Sequence, residues 1–120
     1  MTTVNKCTDE ELTIDSAFHD EYIHDARELV TEYEFRVGEL TTPIRLRISR
    51  RIAKHDFIFE QSHFIKTPSQ YTAYAASQPF ADDHAKAIYD AVRSITSFYI
   101  SATTRGHKPS ESWLVRNETF

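Results

Sequence analysis

Two stretches of the chain carry a helical period. In residues 16–40, SAFHDEYIHDARELVTEYEFRVGEL, the residues His19, Ile23, Ala26, Val30, Tyr33, Val37 and Leu40 recur at alternating spacings of four and three. In residues 81–104 the same spacing joins His84, Ile88, Ala91, Ile95, Phe98 and Ala102, flanked by Ala85, Val92 and Tyr99. Spacings of three and four align side chains along one side of a 3.6-residue repeat, so each stretch predicts an amphipathic helix with a narrow seam. Asp15 or Ser16 is placed to cap the first, with Asp20 and Glu21 at the positive end of its dipole. Asp82 and Asp83 open the second, and Arg105-Gly106 closes it with a cation and a left-handed cap. Tyr33, Phe35 and Val37 also alternate, which gives the end of the first stretch a competing strand reading.

Between these stretches the pattern has two readings. Thr42-Pro43 and Thr67-Pro68 each resemble a helix start with proline at the first position. At 100° per residue Ile44, Ile48, Ile52, His55 and Phe59 share one arc, Leu46, Ala53, Phe57 and Phe64 a second, and Arg47, Arg50, Arg51 and Lys54 a stripe between them, with Arg45 near it. The rival is a β-hairpin of IRLRI and DFIFE, whose composition favours strands. A strand would put Arg50 on the same side as Ile44, Leu46 and Ile48, so it would bury Arg50 or require a bulge. Residues 68–77 predict a short helix ended by Gln78-Pro79, and residues 107–120 have no helical period and predict an extended tail anchored by Trp113, Leu114 and Val115.

The fold expected from this pattern is mostly α: an antiparallel bundle of three long helices plus a short one, in a single domain over residues 1–120, with 1–14 as a polar leader. The alternative is α+β with a hairpin around residues 33–60. Composition favours the helices, because only 2 glycines occur among 120 residues and a many-stranded fold normally needs more turn residues. The 40% hydrophobic content and fifteen aromatic residues (8 Phe, 6 Tyr, 1 Trp) suffice for a core without staples. A lone cysteine, Cys7, reads as a free thiol. With no apolar leader and no apolar run of membrane-spanning length, a cytoplasmic protein with no membrane association is expected.

The net charge of -4 is unevenly spread. Residues 1–40 carry 11 acidic and 3 basic side chains, and residues 41–66 carry 6 basic and 2 acidic. The two segments either pair within the fold or leave the basic one to an anionic partner.

Candidate chemistry is sparse. Glu21-x-x-His24 and Glu60-x-x-His63 have the spacing by which helices offer metal ligands in di-iron bundles, but the first lies on the outer face and the helix at 81–104 offers no interior glutamate. The paired motif remains a remote metal-binding alternative, and no cofactor is assigned. His19, His55 and His84 fall on seams, as hydrogen-bonded boundary residues or a pH-sensitive cluster. Ser110-Glu111-Ser112 beside His107 lacks the spatial arrangement of a triad, and no phosphate loop or nucleophile elbow is present. The expectation is therefore a non-enzymatic regulatory or adaptor protein. Its contacts are the stripe Arg47, Arg50, Arg51 and Lys54 and the aromatic Trp113, and its partner is a protein with an acidic surface. A homodimer formed through an uncovered helix seam fits the same pattern. Nucleic acid on the same stripe is the alternative, set against a pI of about 5.8.

Overall fold

The computed structural model describes residues 12–120, so Cys7 and residues 1–11 of the expected leader lie outside the described residues. In chain order the elements are α1 (Ile14–Ala17), β1 (Arg27–Phe35), β2 (Ile44–Arg51), β3 (Phe57–Gln61), β4 (His63–Ile65), β5 (Phe80–Ala81), α2 (His84–Thr104) and β6 (Leu114–Arg116), with a 3-10 turn at Glu111–Trp113. The three-helix bundle does not form. One antiparallel sheet has the order β1-β2-β3-β5, a second pairs β4 with β6, and α2 is the one long helix among the described residues.

Each correction has a local cause. In residues 16–40 the helical spacing is real, but α1 lasts only four residues. Thr13, not Asp15 or Ser16, is its cap: the Thr13 side chain accepts from the Ser16 N–H while Ser16 Oγ accepts from the Thr13 N–H at 2.8 Å. Asp25 then adopts a positive φ of 54°, a left-handed step that no continuing helix tolerates. Beyond it Leu29, Val30, Thr31, Tyr33 and Phe35 bring the aromatic and β-branched density of a strand.

In residues 44–65 the two-residue alternation wins over the helical arcs. Ile44, Leu46 and Ile48 face the core and are fully buried. The ladder shifts register between Leu29 and Thr31, so the irregularity lies in β1, opposite β2, and Arg50 stays on the core-facing side. Its guanidinium is held there by Glu28 at 3.1 Å and Asp15 at 3.9 Å. The hairpin reading was thus nearer the fold, although the sheet begins at Arg27 and a second sheet accompanies it. Residues 68–77 form turns instead of a helix, with the Gln70 amide bonded to the carbonyls of Ile65 and Thr72.

Helix α2 matches its expected span. Asp83 caps it by accepting from the Lys86 N–H at 2.7 Å, and Gly106 follows it at φ 89°. Its buried residues are Ala87, Ala91, Ser94, Ile95 and Ala102, and such small side chains let the helix lie close on the sheet. Ala87 and Ala91 pack with Leu46, Ile48 and Phe59 at one end; Ile95 and Ala102 pack with Val37, Ile44, Ile65 and Trp113 at the other.

Candidate interaction surface

Strand β1 is the long edge of the main sheet. Its nine residues pair with β2 on one side, and among the described residues no strand pairs with the other. The opposite edge is the two-residue β5. A strand edge presents unpaired N–H and C=O groups, and β1 is exposed along almost its whole length, with Leu29 60% accessible. Apolar exposure continues N-terminally: Leu12, Ile14, Phe18, Tyr22 and Ile23 are all exposed, and α1 buries none of its residues. Phe18, Ile23, Ala26 and Ile52 line a cleft of about 350 Å³ beside the start of β1.

In two rows of the sheet face turned away from α2 the charges alternate in sign, whereas Arg27 lies opposite Arg51 in a third. Glu60 of β3 lies opposite Arg47 of β2, and Arg47 lies opposite Glu32 of β1. In a neighbouring row Arg45 lies opposite Glu34. Glu32 accepts from Arg45, and from Arg47 at 3.4 Å. The Arg45 hydrogen bond is the main reason the Glu32 carboxyl sits below its ordinary range, with Arg47 adding to it. The row ends at β1 on Glu32, beyond which no further strand pairs among the described residues.

The expected stripe is divided by the strand geometry. Arg47 and Arg51 point to the outer face, Arg50 to the other, and Lys54 sits exposed in the β2–β3 turn. Each of the three arginines already holds a carboxylate: Arg47 with Glu32, Arg50 with Glu28, Arg51 with Asp56 at 2.5 Å. The Arg51 hydrogen bond holds Asp56 below its usual value and raises Arg51 in turn. Arg47 also lies 4.2 Å from the centroid of the Phe120 ring, and Arg51 4.3 Å from that of Phe80. Trp113 is 4% exposed, so its indole serves the core instead of the surface.

The remaining motifs take structural places. Glu21 is exposed in a turn and His24 in the irregular segment after it, Glu60 and His63 lie on successive strands, and no metal-holding cluster of three or more His, Cys, Asp or Glu side chains occurs among the described residues. His84 stacks on Phe57 with centroids 5.8 Å apart, and its Nε2 meets Thr31 Oγ1 at 2.9 Å. His55 pairs with Asp15. The Glu111 carboxylate accepts from the Thr42 hydroxyl at 2.6 Å and from the backbone N–H groups of Thr41 and Thr42, and these bonds lower its pKa.

The sequence reading missed the edge strand itself. The alternation of Tyr33, Phe35 and Val37 carries a competing strand reading, but it covers only the end of β1 and gives no sign that the strand begins at Arg27 or forms a sheet edge. No helix of the described residues is long and apolar enough to cross a membrane. No family model matches the chain, and comparison with curated proteins and with solved structures gave no match.

Proposed function

We propose that this protein is a non-enzymatic, cytoplasmic binding module that takes an extended segment of a partner protein as an added strand on β1. The observation that carries the reading is the open nine-residue edge of β1, bordered by exposed apolar residues. Backbone groups of the edge supply affinity in this mode, and the alternate side chains supply selectivity. The partner segment carries basic side chains at alternate positions, because a cation beside Glu32 and another beside Glu34 continue the sign alternation that runs through Glu60 and Arg47. An apolar residue at its end fits the cleft at Phe18 and Ile23.

Self-pairing has less support. In the antiparallel register that overlaps all of β1, centred on Thr31, Glu28 falls opposite Glu34 in both halves, and like charges directly opposite one another are destabilising. A helix-seam dimer has lost the seam it relied on. The stripe at Arg47, Arg50, Arg51 and Lys54 remains a weaker docking proposal for an acidic surface, because its arginines would have to exchange carboxylates.

The test is hydrogen exchange on the protein mixed with a synthetic peptide of β1 length that alternates lysine and threonine. Protection confined to β1, absent with the glutamate-threonine counterpart and absent in Leu29→Lys, supports the reading. Equal response to both peptides, protection elsewhere, or concentration-dependent protection of β1 without peptide overturns it.

A further inference from the structure

The second sheet contains a pairing that the fold alone does not account for. In the β4–β6 ladder His63 lies directly opposite Arg116. Were His63 protonated, two positive side chains would stand opposite each other and weaken the strand pair. No carboxylate among the described residues forms an ion pair with either. The pair borders a cavity of about 210 Å³ that Arg45, Ser62 and Asn117 also line, with Pro43 and the Phe120 ring as apolar walls.

The hydrogen bonds around His63 accommodate a neutral ring protonated on Nε2. Ser62 Oγ accepts from the Arg45 backbone N–H at 2.8 Å, so its own proton is available to His63 Nδ1, which lies 2.8 Å away. In that tautomer the ring proton lies on Nε2, which has no hydrogen-bond partner among the described residues. Burial, and then the nearby Arg116 charge, hold the His63 pKa below its ordinary value, so the ring is neutral at pH 7. The charged groups facing it are Arg116 from β6 and Arg45 from β2, the latter shared with Glu32 of β1.

We infer that this cavity binds a phosphate monoester of a small molecule, with the phosphate between Arg116 and His63 and its carbon remnant against Pro43 and Phe120. Arg116 supplies a planar fork of donors matched to phosphate oxygens, and His63 Nε2–H adds another. Drug-sized pockets begin at about 300 Å³, so a cavity of about 210 Å³ suits a phosphate on a short stem and not a nucleotide. A dianion at this position reverses the local field and favours a protonated His63, so binding takes up a proton. The site touches the β1 edge only through Arg45, which Glu32 holds, and the groups proposed to bind the phosphate, Arg116 and His63, take no part in strand addition.

NMR titration of the His63 ring decides the matter, with glycerol phosphate as the probe, inorganic phosphate as a second arm and chloride at matched ionic strength as control. Glycerol phosphate is expected to raise the His63 pKa and to bind more tightly than inorganic phosphate. Arg116→Gln is expected to raise the His63 pKa in the unliganded protein, because a repelling charge is removed. The same variant should weaken glycerol phosphate by on the order of tenfold or more, the loss of one charge-assisted hydrogen bond. His63→Gln should bind without proton uptake. A shift equal to that produced by chloride, binding unchanged in a folded Arg116→Gln, or preference for inorganic phosphate overturns the proposal.

Discussion

Gly38 lies in the turn that joins β1 to β2, and replacing it with alanine tests how that hairpin is held. Its φ is +53°, a left-handed conformation that costs a residue with a Cβ about 1–2 kcal/mol. The added carbon would also overlap the Tyr99 phenol, so the ring must withdraw. Withdrawal breaks the hydrogen bond donated by the Glu39 N–H to the Tyr99 hydroxyl at 3.0 Å, worth about 0.5–1.5 kcal/mol net. It also disturbs the edge-to-face contact of Tyr99 with Trp113, whose centroids are 5.9 Å apart, worth a similar about 0.5–1.5 kcal/mol. Together these give about 2–5 kcal/mol, a large part of the roughly 5–15 kcal/mol that holds an ordinary domain folded. The assay is urea unfolding followed by fluorescence of Trp113, the one tryptophan, which is buried beside the perturbed ring. With an m-value of about 2 kcal/mol/M the midpoint should fall by roughly 1 M or more. Tyr99→Phe alone should cost about 1 kcal/mol, and Gly38→Ala combined with Tyr99→Phe should cost less than the sum, because each single variant loses the same hydrogen bond between Glu39 and Tyr99. A midpoint for Gly38→Ala indistinguishable from that of the parent, or strict additivity of the pair, would refute the reasoning.

Two further outcomes follow from the ionised groups. Glu111 has a folded pKa below its unfolded one, so its stabilisation is present above the unfolded carboxylate pKa and is lost as pH falls through the folded value. Glu111→Gln should therefore lower the unfolding midpoint at neutral pH and flatten its acid limb; an acid limb as steep as the parent's contradicts this role. Arg51→Ala should let the Asp56 carboxyl rise toward its usual pKa in a carbon-detected titration, and an unmoved Asp56 would show that Arg51 is not its main stabiliser.

How far the fold could be read from the residues differs by element. Helix α2 was legible because its caps, its period and its small buried residues all agree, and only one sheet face has to be covered. β1 was not, because residues 16–40 satisfy both periods, and what decided between them was the tertiary pairing of Glu28 with Arg50 and Glu32 with Arg47. For β2 the scarcity of glycine misled: Asp25 and His55 adopt positive φ in its place, with Gly38 and Gly106 used only where they are needed. The two-sided charge distribution did foretell internal pairing as one outcome. Trp113 was recognised as an anchor, but its depth depended on Val37, Ile44 and Ile95 converging from three other parts of the chain.

The β4–β6 pairing joins segments about fifty residues apart in the chain, and closing so long a loop costs entropy before any ladder bond repays it. The β1–β2–β3 meander, by contrast, is assembled from neighbours in sequence. Folding should accordingly proceed in two stages, with the meander formed early and Ile65, although fully buried in the end, left uncovered until residues 113–116 arrive. During synthesis that interval lasts as long as the ribosome needs to make and release the intervening α2, and it is the period in which this chain is most open to aggregation and to chaperones.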